Sequence, residues 1–247
     1  MRLAASLFLA LLALPAGAQH PTRWLATWST ANYAATAAPP RDSVDYVQTY
    51  VDRTIRQIVR TTIGGDSVRI RLTNEYGERP LIIGAAHIAL RDSGATVRSS
   101  SDKAITFGGS RSVTLRPGAI AFSDPVNFHI PALTDLAVSL WVKDTIRATT
   151  RHPLGLQSNY VSAHGDFAAT ARLIPDTTIA QWLWLAGVDV VNAKATGVLV
   201  TIGNSTTAGY RSPPAPNRRW PDLPPRPPPQ APSAPTTSLP SRPPRLW

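Results

Sequence analysis

Hydrophobic and polar residues alternate along much of the first two thirds of the chain. Between Ser67 and Asn74, Val68, Ile70 and Leu72 fall on one side of the pattern and polar residues on the other. A period of two predicts a β-strand with one buried face and one wet face. Similar patterns predict strands at Trp24–Ser29, Thr54–Thr62, Leu81–Leu90, Ile105–Phe107, Ser112–Leu115, Val126–Ile130 and Leu136–Val142.

Glycine, asparagine and aspartate turns separate these short segments. Gly64-Gly65 lies between Thr54–Thr62 and Ser67–Asn74, which predicts that these two strands form a hairpin. No stretch of useful length has a helical period. The pattern therefore predicts a mainly β fold, with an antiparallel β-sandwich or jelly roll over residues 19–195.

A different pattern begins after this domain. Val198–Ile202 is apolar without alternation, as is typical of a strand buried on both faces of a parallel sheet. Gly203–Gly209 follows it and predicts a strand-to-helix turn. A turn of this kind can present a serine hydroxyl, here that of Ser205, at the carboxyl end of a sheet.

Residues in and after this turn resemble the first motif block of the GDSL, or SGNH, serine hydrolases, which is close to GDSITDG followed by RWPD. Gly203, Ser205, Thr207, Gly209 and the run Arg219-Trp220-Pro221-Asp222 fit the block. Asn204 and Ala208 stand where the family carries aspartates.

The resemblance extends to the β-rich segment, because a subset of secreted SGNH hydrolases carries such a domain ahead of the catalytic one. The similar phrases are Thr54-Ile55-Arg56-Gln57, Arg69–Asn74 with Tyr76-Gly77, Ser123-Asp124-Pro125, and Thr150-Arg151-His152 leading to Gln157–Tyr160. The resemblance implies a β domain followed, over residues 196–223, by the first strand and nucleophile turn of an incomplete α/β/α hydrolase domain.

The resemblance also implies a chemistry without cofactors. Ser205 would be the nucleophile and a backbone oxyanion donor, and Gly203, Asn204 and Gly209 would support its turn. The reaction would be hydrolysis of an ester, such as an acetyl or short acyl group on a carbohydrate, through an acyl-serine intermediate. The family's later oxyanion glycine and asparagine and its Asp-x-x-His have no counterpart in these 247 residues. A serine without its base loses on the order of a millionfold in turnover, so we expect this chain to be inactive or nearly so.

The histidines offer no obvious replacement for the missing base. All five precede Ser205, and none lies in an Asp-x-x-His sequence: His20, His87, His129, His152 and His164. His87 and His129 lie in strand patterns, where structural roles are commoner than catalytic ones. His152 and His164 are candidates for substrate contact, although a structural role is again the simpler interpretation. No pair has zinc-binding spacing, so no metal is expected.

The two ends of the chain differ from its middle. Residues 1–18 combine Arg2, a short apolar stretch and Ala16-Gly17-Ala18, which predicts a secretory signal peptide rather than a buried helix. Residues 224–247 are rich in proline and arginine and predict a disordered or polyproline II tail. Such a tail can bind SH3-like or WW-like domains, but its abrupt start favours a frameshift or truncation after about Leu223. Translation of the other two downstream reading frames would test this hypothesis.

The amino-acid composition limits the classes of chemistry and of binding partner that we expect for this chain. The absence of cysteine excludes disulfides and thiolate chemistry, and export without disulfides suits a bacterial periplasmic or secreted protein. Of the net charge of +10, the segment from Arg211 onward carries +5 and the signal segment +1, so +4 remains for the body. The arginines of the body are scattered, which argues against binding of nucleic acid. After signal cleavage, no membrane partner is expected. The sequence does not determine the oligomeric state.

One alternative function remains, a carbohydrate- or surface-binding β-sandwich without catalysis. Its candidate stacking side chains are Trp24, Trp28, Trp141, Trp182 and Trp184. Packing in the core or between domains is the commoner role for tryptophan.

Overall fold

The structure, a computed structural model, describes residues 23–35, 47–195 and 197–212. The strands are β1 (Trp24–Ser29), β2 (Tyr33–Ala34), β3 (Thr49–Tyr50), β4 (Arg53–Arg60), β5 (Gly65–Thr73), β6 (Leu81–Ser93), β7 (Thr96–Val97), β8 (Lys103–Ile105), β9 (Val113–Leu115), β10 (Ile120–Phe122), β11 (Val126–Ile130), β12 (Asp135–Val142), β13 (Ile146–Arg147), β14 (Thr150–His152), β15 (Asn159–His164), β16 (Pro175–Ile179), β17 (Trp182–Leu183) and β18 (Leu185–Val191). A 3-10 turn covers Ser99–Ser101.

Two antiparallel sheets form the body of the protein. The five-stranded sheet has the order β1-β18-β5-β10, with β11 also paired to β5. The eight-stranded sheet has the order β16-β15-β4-β12-β6-β7, with β8 and β9 also paired to β6. The prediction of a mainly β, antiparallel fold is confirmed. In the described part of the chain, no helix is long and apolar enough to cross a membrane.

The main hydrophobic core contains side chains from both sheets. Val68, Ile70 and Leu72 of β5 are fully buried, as their alternation predicts, and they belong to one cluster with Ile55 of β4 and Leu140 of β12. Burial of each large aliphatic side chain stabilises the fold by roughly 1.5–3 kcal/mol. The period-two pattern therefore identifies the core face correctly.

The predicted hairpin between β4 and β5 is wrong. β4 pairs with β12 and β15 in the eight-stranded sheet, whereas β5 pairs with β18, β10 and β11 in the five-stranded sheet. The intervening glycines allow close backbone contacts, because a Cβ on Gly64 would lie 2.5 Å from the Ile130 carbonyl oxygen. A Cβ on Gly65 would lie 2.5 Å from the Val191 carbonyl oxygen. The glycine pair therefore marks a crossing from one sheet to the other.

A second, smaller hydrophobic cluster lies on the other face of the eight-stranded sheet. It contains Ile58, Ala89, Ala137 and Tyr160 from the strands, together with residues such as Leu173 from a covering loop. Both faces of this sheet are thus partly buried, which explains why β4 is buried at nearly every position.

The predicted buried strand at Val198–Ile202 is absent from the structure. These residues form no strand, and Leu199 and Ile202 are 81% and 92% exposed. A central parallel strand needs a neighbour on each side, and no described strand pairs with this segment. The apolar run therefore lies outside the sandwich.

Candidate functional site

The turn at Gly203–Gly209 is held by hydrogen bonds of a helical kind. The Ala208 N–H donates to the Asn204 carbonyl at 3.1 Å, and the Tyr210 N–H donates to the Ser205 carbonyl at 2.8 Å. The Asn204 side chain accepts the Thr206 N–H through Oδ1 at 3.0 Å. Asparagine thus braces the start of the turn as an N-terminal cap, by accepting a backbone N–H.

Glycine suits both ends of this turn. A Cβ on Gly203 would lie 1.9 Å from the Thr207 hydroxyl oxygen, so a larger residue would have to displace the Thr207 side chain. Gly209 is buried and has a φ of +85°, a backbone conformation that favours glycine. These contacts give a local reason for the spacing of the two glycines around Ser205.

Ser205 is exposed, and its hydroxyl has no hydrogen-bond partner among the described residues. A hydroxyl needs a base within hydrogen-bond reach to act as an efficient nucleophile. The described turn therefore presents a serine to solvent without the base that would activate it.

Each described histidine instead binds a group on the sandwich. The Nδ1 atom of His87 lies 2.8 Å from Asp102 Oδ2, and that of His129 lies 2.6 Å from Asp66 Oδ1. His152 donates from Nδ1 to the Ala31 carbonyl at 2.8 Å. His164 Nε2 lies 3.4 Å from Arg53 Nη2.

Sequence reasoning did not find the two Asp–His pairs, because their partners are 15 and 63 positions apart. Only the strand pairing and the loops bring them together. In the described residues, neither pair has a serine or threonine hydroxyl hydrogen-bonded to its histidine. Within the described residues, the geometry thus shows two Asp–His contacts and no serine–histidine–aspartate arrangement.

Several sequence-predicted features lie outside the described residues. These are the signal segment 1–18, His20, the run Arg219-Trp220-Pro221-Asp222 and the tail 224–247. Within the described residues, the structure brings together Gly203, Asn204, Ser205 and Gly209, and the second half of the motif block lies outside them.

The tryptophans divide into buried and surface groups. Trp182 and Trp184 are 2% and 0% exposed, so their rings are core and not stacking faces. Trp28 meets Trp182 edge to face with ring centroids 5.0 Å apart. Trp141 donates its indole N–H to Asp52 at 2.8 Å. Trp24 is the tryptophan on the outer face of the five-stranded sheet.

That outer face carries a stack that sequence reasoning missed. The Arg69 guanidinium lies 4.6 Å from the ring centroids of both Trp24 and Phe122, and its Nε donates to the buried Asp189 at 3.1 Å. The alternation of β5 predicted that Arg69 faces solvent. It could not predict the aromatic partners, which come from β1 and β10.

The described residues contain no group of three or more histidine, aspartate or glutamate side chains suited to hold a metal ion. No protein-family model matches the chain, and no curated protein matches it either.

Proposed function

We propose that this chain carries the β-sandwich domain and the nucleophile turn of a secreted or periplasmic bacterial serine ester hydrolase of the SGNH type. The observation that carries the proposal is the turn itself: Asn204 caps it, Gly203 and Gly209 permit its close backbone, and Ser205 is exposed at its start. The substrate class is an acyl ester, of a small molecule or a carbohydrate, and the chemistry needs no cofactor.

Ser205 could take part in the following steps of ester hydrolysis. The Ser205 oxygen would attack the ester carbonyl, and the Ser205 N–H would donate to the developing oxyanion. The alcohol would then leave with a proton, and water would release the acid. No described residue is placed to accept the Ser205 proton, so we expect the chain alone to hydrolyse esters barely faster than solvent does.

Chemical rescue tests this proposal. The 247-residue protein is incubated with p-nitrophenyl acetate and increasing imidazole, which supplies a base from solution, and acetylation is mapped by peptide mass spectrometry. The expected result is imidazole-dependent acetylation of Ser205 that is lost in Ser205→Ala and kept in Ser212→Ala. Equal acetylation of the neighbouring hydroxyls, or the same total rate in Ser205→Ala, would contradict the proposal.

A second candidate function is a carbohydrate-binding sandwich without catalysis. The observation that favours it is the Trp24–Arg69–Phe122 stack on the outer face of the five-stranded sheet, in which Phe122 is exposed and Trp24 is half-buried, because rigid aromatic side chains on a sheet face suit sugar binding. Gel retardation in neutral polysaccharides tests it: Trp24→Ala should abolish retention of the protein, whereas Tyr210→Ala, which removes an exposed aromatic ring elsewhere, should not. Absence of retention in every polysaccharide would exclude this role.

A further inference from the structure

A shallow cavity of about 380 Å³ lies at one end of the outer face of the five-stranded sheet. Its lining includes Thr30, Arg71, Glu75, Tyr76 and Ile120. This volume is within the range of small-molecule sites, roughly 300–1,000 Å³. The cavity combines one cation, one carboxylate, hydroxyl groups and an apolar wall.

Arg71 is the cation of this cavity. Its guanidinium lies 5.9 Å from the centroid of the Phe122 ring and donates to the Ala186 carbonyl at 3.4 Å. No carboxylate of the described residues lies within ion-pair distance of it, in contrast to Arg69, which is paired with Asp189. Arg71 therefore has a positive charge without a direct counter-charge.

The backbone beneath Arg71 leaves room for its guanidinium. A Cβ on Gly187, its partner across the strands, would lie 2.6 Å from Arg71 Nη2. Glycine at position 187 thus lets the guanidinium lie close over the sheet. The exposed Ile120 and Tyr76, 57% and 37% accessible, provide apolar surface beside it.

We propose that this cavity binds a sugar acid, a uronate residue of an acidic carbohydrate. Its carboxylate would pair with the planar guanidinium of Arg71, which suits bidentate recognition. A sugar hydroxyl would donate to Glu75, whose charge opposes binding of a bare anion. The C–H face of the sugar ring would pack on Ile120 and Tyr76.

This inference deepens the second candidate function, carbohydrate binding by the sandwich, and is independent of Ser205 chemistry. It differs from that function in naming the charge of the sugar and a site separate from the Trp24 ring. The ligand is a free uronate or a residue of a uronate polymer, and both share the carboxylate and hydroxyl chemistry.

Calorimetric titration of the full chain tests the proposal with galacturonate, trigalacturonate, acetate and the neutral trisaccharide cellotriose. The wild-type protein should bind trigalacturonate saturably, with no measurable binding of cellotriose or acetate. Arg71→Gln should weaken that binding at least about tenfold, because it removes a charge-assisted hydrogen-bonded pair. Arg98→Gln, which removes an exposed arginine in the loop after β7, should not change it.

The affinities for galacturonate and trigalacturonate show which form of the uronate is the ligand. Tighter binding of trigalacturonate indicates a residue of a polymer, and equal affinity indicates a free uronate. Chemical-shift mapping on the wild-type protein provides a readout that does not depend on the folding of a variant. The uronate should shift the signals of Arg71, Tyr76 and the Ile120 methyl groups. Shifts confined to other surfaces would overturn the proposal.

Further outcomes separate this inference from the proposal it deepens. Binding of cellotriose in place of trigalacturonate would overturn the uronate site and leave a carbohydrate-binding sandwich. Binding of neither sugar, together with no polysaccharide retention, would overturn both. Acetate binding as tight as that of trigalacturonate would also overturn it, since the cavity would then be a simple anion site.

Discussion

Arg56 is a buried cation held by carbonyl oxygens. Its Nη1 donates to the Ala95 carbonyl at 2.5 Å, its Nη2 to the Thr170 carbonyl at 2.6 Å, and its Nε to the Ser139 hydroxyl at 2.9 Å. Burial lowers the pKa of Arg56 to about 10, and Asp102 opposes this shift, so the side chain stays charged at neutral pH. The guanidinium joins two loops to the face of the eight-stranded sheet.

Replacement of Arg56 by methionine should destabilise the protein strongly. The apolar side chain would leave the buried Ala95 carbonyl and Ser139 hydroxyl and the partly buried Thr170 carbonyl without this donor, and each buried polar group left unsatisfied typically costs about 1–3 kcal/mol. Urea denaturation measures the free energy of unfolding. Arg98→Met, at an exposed arginine, should change it by less than about 0.5 kcal/mol. Equal stability of the two variants would contradict the role given to Arg56.

Asp124 stabilises the turn at Gly108-Gly109 through its carboxylate. It accepts hydrogen bonds from the Thr106 hydroxyl at 2.6 Å and from the Gly108 and Gly109 N–H groups at 2.9 and 2.8 Å. The Thr106 hydroxyl, followed by the backbone N–H groups, lowers the pKa of Asp124 below its ordinary value of 3.8. The charged form is therefore favoured in the folded state.

The contribution of Asp124 should depend on pH. Because its folded pKa is lowered, its stabilisation is complete above the ordinary value of 3.8 and is lost as the pH falls through the folded pKa. The difference in unfolding free energy between wild type and Asp124→Asn should thus be constant near neutral pH and shrink below 3.8. Asp92→Asn removes an exposed aspartate and serves as the control. A difference that grows on acidification would contradict this assignment.

At the scale of elements, Val198–Ile202 shows the limit of a hydrophobic pattern. The residues have the composition of a buried strand, yet they are exposed, because an unpaired strand cannot satisfy its backbone N–H and C=O groups away from water. Exposed β-branched runs of this kind favour association with other chains.

A charge in this run should increase solubility without changing stability. Val200→Asp combined with Ile202→Asp should lower light scattering at high protein concentration and leave the melting temperature unchanged, because neither side chain contacts the core. Ile174→Asp is the matched control, since Ile174 is 81% exposed but lies in a different segment. A fall in melting temperature of the double variant would show that the run packs on the sandwich.

Some elements could be predicted from sequence and their partners could not. The pattern located β1, β5 and β12 to within two residues, because burial of one strand face imposes a period of two. The partner of β4 was mispredicted, because Gly64-Gly65 has the composition of a hairpin turn and crosses between sheets instead.

For the whole molecule, the sandwich and the following segment should differ in resistance to protease. The sandwich has a continuous core across both sheets, whereas residues 197–203 lack strand pairing. We expect limited trypsin digestion to leave a protected fragment of about residues 20 to 195 and to cleave early at Arg211. Mass spectrometry of the fragments measures this, and protection that extends through Arg219 would contradict it.

The sequence by itself determined the fold class and the core faces of the strands. These depend on short-range physics, because burial of one strand face imposes an alternation of apolar and polar residues. Tertiary structure alone decided which strands share a sheet, that Val198–Ile202 remains exposed, and that Arg71 lies beside a cavity without a counter-charge. These features join residues far apart in the chain, and a local pattern carries no information about such partners.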